Sequence, residues 1–262
     1  MTQRIIIKVG SAVLTENNQI ARERMLSLVQ MIADIRKRYD VILVTSGAVA
    51  AGYSALKLDK RKQIGKKALA AAGQPILMSS YKKKFDMYRI DTAQILLTED
   101  DFDSRKRTAM FQEIIDAHLS NDILPIINEN DITSTAEQLF GDNDRLSAHV
   151  AYATRADLLV ILSDIDGYYD KNPREHKDAV RYKVLHAVPS EALQAQSTPN
   201  DPFATGGIVT KLMAADFLLR RGKRMFLCNG FDLSTAVQFL IHGEQTLGTL
   251  FEPPPQRSRA RP

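Results

Sequence analysis

Two lysines and a set of acidic and amide side chains invite a chemical reading before any fold is assigned. Lys8 closes the apolar run "RIIIKV", and Gly10 and Ser11 follow at once. A cation beside a turn with exposed backbone N–H groups suits phosphate oxygens, although a strand-end lysine is also an ordinary surface residue. Far along the chain, "TGGIVTKLMAADF" (205–217) sets Gly206 and Gly207 before an apolar helical run, with Lys211 near its start. This is not a P-loop, which requires G-x-x-x-x-G-K-[ST]. Two glycines still let the backbone come close to an anion, a helix start offers N–H groups, and Lys211 adds a second mobile charge.

Between the lysines lie two polar clusters. "INENDI" (127–132) supplies Asn128, Glu129, Asn130 and Asp131, and "FGDNDRLSAHVAY" (140–152) supplies Asp142, Asn143 and Asp144. Helix capping accounts for one of these residues, not for all. Such groups could bind the ammonium of an amino acid, orient a lysine, or hold a divalent ion. No histidine cluster supports a transition-metal site. In "TSGAVAAG" (45–52), Ser46 and Gly47 precede a run of small residues. Either a helix N-terminus approaches a small anion there, or a cap closes a tightly packed crossover, and both readings stand. Phosphoryl transfer asks for in-line positioning and positive charge over the moving phosphate rather than covalent chemistry from the protein. Two lysines held by one aspartate would meet that need.

Elements of known geometry must bring these residues together. Apolar runs recur as "RIIIKV", "DVILVTS", "QILLT", "DILPIIN", "DLLVILSD" and "RMFLCN", nearly all of them continuous rather than alternating, as in strands buried on both faces. Helix-like segments fall between them at 21–39, 63–88, 104–120, 142–155, 207–222 and 234–242. The rhythm predicts an α/β fold, a three-layer α/β/α sandwich around a mainly parallel sheet. In such sheets ligands sit beyond the carboxyl ends of the strands. There the exits read "KVGSAVLT", "TSGAVAAG", "LTEDD", "INENDI" and "SDIDGYYD", rich in small residues, hydroxyls and carboxylates. The run Glu99, Asp100, Asp101 and Asp103 reads as a solvated turn and helix start, since Arg105 to Arg107 follow. "DIDGYYD" lacks the spacing and terminal glutamate of a calcium loop.

The 262 residues are 44% hydrophobic and 25% charged, ordinary for a globular chain, and no internal repeat or Gly/Ser linker divides them. One domain over 1–252 is expected, with an N-terminal and a C-terminal lobe for different substrates and a disordered tail over 253–262. Cys228 is the only cysteine, so no disulfide framework is possible, and a buried strand position in a reducing, cytoplasmic setting is expected. The start has no charged-then-apolar leader, and no run reaches about 18 apolar residues, so neither secretion nor membrane spanning is expected. Net charge is +4 with an isoelectric point near 9.1. No aromatic stacking pattern accompanies the basic clusters "KLDKRKQIGKK" and "YKKKF", which favours a solvated face over nucleic acid.

With these motifs assembled, the sequence closely resembles the amino acid kinase family, and within it the branch that phosphorylates glutamate. "KVGSAVLT", "VTSGAVAAG", "AAAGQ", "INENDI", "GDNDRLSA", "LSDIDGYY" and "TGGIVTKLMAA" stand in the family's order over nearly the whole chain. The resemblance implies ATP-dependent phosphorylation of the γ-carboxylate of L-glutamate, the first step of proline biosynthesis, with Mg2+ shielding the ATP phosphates. It implies that Lys8 and Lys211 stabilise the transferring phosphoryl group and that Asp144 organises both. Ser46, Gly47, Asp131, Asp142 and Asn143 match glutamate-binding positions. Ser163, Asp164, Thr205, Gly206, Gly207, Ile208, Val209, Thr210 and Lys211 match ATP-binding segments. The Ser163-Asp164 pair replaces the Thr-Asp of many relatives and keeps the hydroxyl.

The resemblance also implies feedback inhibition by proline, a homo-oligomer (dimer or tetramer) and functional coupling to glutamyl phosphate reductase. Many bacterial members carry a C-terminal RNA-binding-like PUA domain, whereas this sequence ends just after "TLGTLFEP", so nucleic acid is not an expected partner. Acetylglutamate, aspartate and uridylate kinases are the neighbouring alternatives. Their first loops typically carry a Gly-Gly pair where this chain has Gly10-Ser11, and that difference together with "NENDI" favours glutamate. A nucleotide-binding sensor without catalysis is disfavoured because Lys8, Asp144 and Lys211 are all present.

Overall fold

A computed structural model describes residues 2–59, 61–98, 100–134, 143–194 and 207–255. Among the described residues ten strands follow in order: β1 (Gln3–Val9), β2 (Thr15–Glu16), β3 (Gln19–Ile20), β4 (Tyr39–Val44), β5 (Thr92–Leu97), β6 (Leu124–Glu129), β7 (Leu158–Ser163), β8 (Val184–Leu185), β9 (Arg224–Asn229) and β10 (Thr249–Phe251). The helices are α1 (Ser11–Leu14), α2 (Arg22–Ile35), α3 (Ala48–Ala55), α4 (Gln63–Asp86), α5 (Asp100–Asp103), α6 (Arg105–Ser120), α7 (Asp144–Ala153), α8 (Ser190–Gln194), α9 (Gly207–Leu219) and α10 (Ser234–Val237).

Eight strands form one sheet in the order β5-β6-β4-β1-β7-β9-β10-β8. The six from β5 to β9 are mutually parallel, while β10 runs antiparallel to β9. Strand faces alternate, so β1 feeds two apolar layers. Ile5, Ile7 and Val9 pack with α2 and α4 side chains such as Leu28, Leu77 and Phe85. Ile6 packs on the other face with Ile115 of α6, Val150 of α7 and Leu212 of α9. The expected three-layer sandwich is thereby present. Lys8 is the next residue after Ile6 on the face of α7 and α9, and that alternation aims its side chain.

From β1 the chain steps to β4 and on to β5 and β6, then returns to the other side of β1 with β7. Crossovers therefore part at β1, and the carboxyl ends of β1, β4, β6 and β7 face one crevice.

Several boundaries differ from the sequence reading for physical reasons. The helix expected over 21–39 stops at Ile35, because Tyr39 already pairs in β4. The helix expected to reach 222 ends at Leu219, ahead of Gly222 at φ 70°. Residues 234–242 form one α-turn and then a π-helical turn over Gln238–His242 that stops at Gly243, φ 74°. β5 is only half-buried rather than buried throughout, since it forms the sheet edge. The hairpin of β2 and β3 turns through Asn17 and Asn18, both at positive φ as a tight two-residue hairpin requires. Residues 253–255 leave β10 as irregular chain, and the rest of the tail lies outside the described residues. Among the described residues no helix is long and apolar enough to cross a membrane.

Candidate active site

The sheet places Lys8 at the carboxyl end of its central strand, 1% exposed, where an unpartnered ammonium could not be tolerated. Its partner is Asp144, 0% exposed, at the start of α7. Lys8 Nζ lies 2.6 Å from Asp144 Oδ1. Lys211 Nζ, from the second turn of α9, lies 3.1 Å from Oδ2. Helical side chains slant toward the helix N-terminus, so Lys211 also reaches back to donate to the Gly207 carbonyl at 2.8 Å. Thr210 Oγ1 donates to Asp144 Oδ2 at 3.0 Å as well. Burial opposes ionisation of Asp144, but the Lys8 and Lys211 ammonium groups outweigh it and hold the carboxyl below the usual carboxylate range. Two buried ammonium groups thus converge on one carboxylate, and a pair of cations at this spacing suits the oxygens of a phosphoryl group.

Asn143, immediately before Asp144, sits in the left-handed region at φ 59°. That cost of about 1 kcal/mol or more needs outside support. Its Nδ2 donates to the Thr45 carbonyl at 2.7 Å and to Asn128 Oδ1 at 2.8 Å. Asn128 in turn donates to Gln74 Oε1 at 2.8 Å. Thr45 Oγ1 lies 2.8 Å from the hydroxyl of Tyr81, which is fully buried. Helix α4 thus grips Asn143 twice, through Gln74 and through Tyr81, seven positions apart on one face. α4 itself is locked to α3 by absent side chains: a Cβ on Gly73 would stand 1.8 Å from the Ala48 carbonyl oxygen, and one on Gly52 1.9 Å from that of Leu69.

Beside this network opens a cleft of about 400 Å3 whose wall includes Ser46, Gly47, Asn128, Asp131 and Asn143. Gly47 caps α3 at φ 100°, a conformation that costs most other residues dearly, and no side chain caps the helix. Gly47 is thus the N-cap of a tightly packed crossover, and the first residues of α3 also border the cleft. Burial pushes the Asp131 carboxyl up to about 6, with its own backbone N–H and the nearby Lys67 charge pulling the other way. Glu129 accepts from Ser134 Oγ at 3.0 Å and also lines the cleft.

The structure therefore brings Lys8, Asp144 and Lys211 into one group and Ser46, Gly47, Asp131 and Asn143 around one cleft next to it. Ser163 is buried at the end of β7. Its hydroxyl donates to Asp164 at 3.0 Å, and its carbonyl accepts from Gly230 at 2.7 Å. The adjoining strand end is tied to the first loop, because Gly10 N donates to the Leu162 carbonyl. Gly207, Ile208, Val209 and Thr210 form the first turn of α9. Asp142, Thr205 and Gly206 lie outside the described residues.

Sequence reasoning missed three contributions. Thr210 is an aspartate partner and not only part of a loop. Gln74 and Tyr81 act across 54 and 36 positions of chain, beyond any local signal. The basic cluster that runs into α4 is not wholly a solvated face: Lys66 lines the cleft, and Lys67 donates to the carbonyls of Ile132 and Ser134, at 3.0 and 2.7 Å. Cys228, in contrast, is buried in β9 as expected, and burial raises its thiol pKa.

The profile of the amino acid kinase family matches residues 3–229. The chain is 55% identical to a glutamate 5-kinase of Wolinella succinogenes over 254 residues, covering 95% of this chain and 97% of the relative. It is 53% identical to a glutamate 5-kinase of Leishmania donovani, covering 95% of each. Among solved structures, the T. acidophilum isopentenyl phosphate kinase in a product complex matches with a TM-score of 0.64 at 16% identity, over 95% of this chain and all of the other. UMP kinase from Ureaplasma parvum matches at 0.61 and 16%, over 96% of this chain and 99% of the other. These two likenesses concern the fold alone. The chain belongs to the amino acid kinase family.

Proposed function

We infer that the chain transfers the γ-phosphoryl group of ATP to the side-chain carboxylate of L-glutamate, giving ADP and L-glutamyl 5-phosphate. The observation that carries this reading is the single carboxylate of Asp144 between two buried lysines, set beside a polar cleft, in a chain more than half identical to a glutamate 5-kinase. In the proposed reaction a glutamate γ-carboxylate oxygen attacks the γ-phosphorus in line. A new oxygen–phosphorus bond forms, the bond to the β-phosphate oxygen breaks, and ADP leaves with that electron pair. Lys8 and Lys211 neutralise the charge on the transferring group, and Asp144 fixes their positions before it arrives, so that little reorganisation accompanies the reaction.

The proposed division of labour follows the crevice. An N-terminal lobe within 1–252 takes glutamate, with α3 amides, Ser46 and Gly47 at the reacting carboxylate and Asp131, Asp142 and Asn143 at the amino-acid end. A C-terminal lobe takes ATP, through Ser163, Asp164 and the segment from Thr205 to Lys211. Among the described residues no group of three His, Cys, Asp or Glu could cage a metal ion. The donor set therefore suits Mg2+ carried on the nucleotide phosphates and their waters, the usual manner for this cation. Bound there, it shields phosphate charge from the incoming carboxylate. Proline inhibition, a dimer or tetramer, coupling to glutamyl phosphate reductase and a cytoplasmic location are part of the same proposal and rest on kinship alone.

An acyl phosphate is trapped by hydroxylamine. With glutamate, aspartate, acetylglutamate and UMP offered in parallel, ADP release and hydroxamate should appear with glutamate. No glutamyl hydroxamate above background would end this reading, and ADP release with another acceptor would replace it.

A further inference from the structure

A second cavity, of about 580 Å3, shares its walls with the cleft yet no lining residue. Along the hairpin Asn18 faces the cleft and Gln19 the second cavity; along α3 Ala50 and Tyr53 face the first, Ala51 and Ser54 the second. Three cations line this second space: Arg22 opens α2, and Lys83 and Lys84 close α4. No carboxylate lines it. Among the described residues none of the three has an ion-pair or hydrogen-bond partner, whereas neighbouring Lys82 pairs with Asp86 and Arg24 with Glu16. The hydroxyls of Ser54 and Ser80 already donate to the Ala51 and Ile76 carbonyls, so the cations carry the recognition.

Helix electrostatics explains only part of this arrangement. Lysines in the last turn of α4 are favoured there by the helix dipole. Arg22 is placed against it, in the first turn of α2, a helix whose N-terminus has no side-chain cap. Three like charges around one concave space repel one another and raise its potential, and a bound anion relieves both costs. We propose that this cavity binds a small molecule bearing clustered anionic oxygens, and that its occupancy reaches the acceptor cleft through α3 and the β2–β3 hairpin. α3 is the coupling element because its N-terminal amides border the cleft while its last turn borders the second cavity, and Gly52 against α4 leaves it no room to adjust one end alone.

The binding half is tested on the full chain saturated with a non-hydrolysable ATP analogue, in metal-free buffer, by calorimetric titration with pyrophosphate and separately with citrate. Affinity should fall about tenfold or more in Arg22→Gln and in the Lys83→Gln/Lys84→Gln pair, as expected when charge-assisted contacts are removed. Melting temperatures matching the parent show that both variants fold. Heat from pyrophosphate alone marks a phosphate ligand, and heat from citrate alone a carboxylate. Failure of both probes to bind at millimolar concentration, or equal affinity in the variants, overturns the site. The coupling half is read from the KM of the acceptor: the bound probe should shift it by about threefold or more in the parent and not in the variants. An unmoved KM with a bound probe overturns the coupling. The titration does not depend on which acceptor the enzyme uses.

Discussion

Lys8 and Lys211, separated by almost the whole chain, hold opposite oxygens of one carboxylate: Nζ of Lys8 is 2.6 Å from Asp144 Oδ1, and Nζ of Lys211 is 3.1 Å from Oδ2. Asp144 is therefore both the spacer of the two charges and a counter-charge they share, with all three side chains buried. Asp144→Asn keeps the shape and removes the charge. It should lower unfolding free energy by about 3–5 kcal/mol, since the carboxylate charge shared by two buried ammonium groups is then removed. Denaturant unfolding measures this, and a midpoint unchanged from the parent would refute the role. The sign with pH follows from the depressed carboxyl: its stabilisation is present above the unfolded value of about 3.9 and is lost as pH falls through its lower folded value.

Lys211→Ala tests the charge over the phosphoryl group. Turnover should fall by about 100-fold or more with glutamate affinity nearly intact, as for a contact made in the transition state alone. Comparable losses in kcat and in glutamate binding would instead place Lys211 among the ground-state binding groups.

Asp131 supplies a pH dependence of its own. With its carboxyl pushed up to about 6 by burial, the side chain loses charge as pH drops through that region, and the ammonium of glutamate loses a counter-charge. The KM for glutamate should rise between pH 8 and pH 5 with a midpoint near 6, and Asp131→Asn should show a high KM without that inflection. The stability sign is opposite to that of Asp144. A raised folded pKa contributes stability that is fully present below the unfolded value and lost as pH rises through the folded one. Asp131→Asn should thus be no less stable than the parent at pH 8, a result that separates loss of binding from loss of fold. A flat KM profile in the parent would remove Asp131 from the binding set.

How far the sequence speaks depends on the range of each interaction. The six parallel strands were legible as continuous apolar runs, five of them buried on both faces, and Lys8 stood out as the one charge at the end of the first. The pair β8 and β10 was not, since strands of two or three residues leave no periodic trace. The Asp144 cluster was visible as more carboxylates and amides than capping could use, but which of them meets which lysine is a property of α7 and α9 packing side by side. Lys66 and Lys67 illustrate the converse, for a run of like charges reads as solvent-facing until α4 carries Lys66 to the cleft and Lys67 to the carbonyls of Ile132 and Ser134. Asn143 could be picked from its motif, whereas its left-handed backbone and its dependence on Tyr81 could not.

That dependence yields the last prediction. Tyr81 reaches Asn143 through Thr45: its hydroxyl lies 2.8 Å from Thr45 Oγ1, and the Thr45 carbonyl accepts from Asn143 Nδ2 at 2.7 Å. Tyr81→Phe preserves the ring stacked on Phe85 and its burial, and removes one oxygen. The cost in stability should be about 1–2 kcal/mol, the usual consequence of leaving a buried hydroxyl without one partner. If the phenol also positions the strand exit, the KM for glutamate should rise several-fold while kcat changes less, because Ser46 and Asn143 line the cleft and Tyr81 does not. Thr45→Val, which removes the other half of the contact, should have a similar effect, and the double variant should lose little more than either single change. Additive losses in the double variant, or a stability cost without any shift in KM, would reduce Tyr81 to a packing residue.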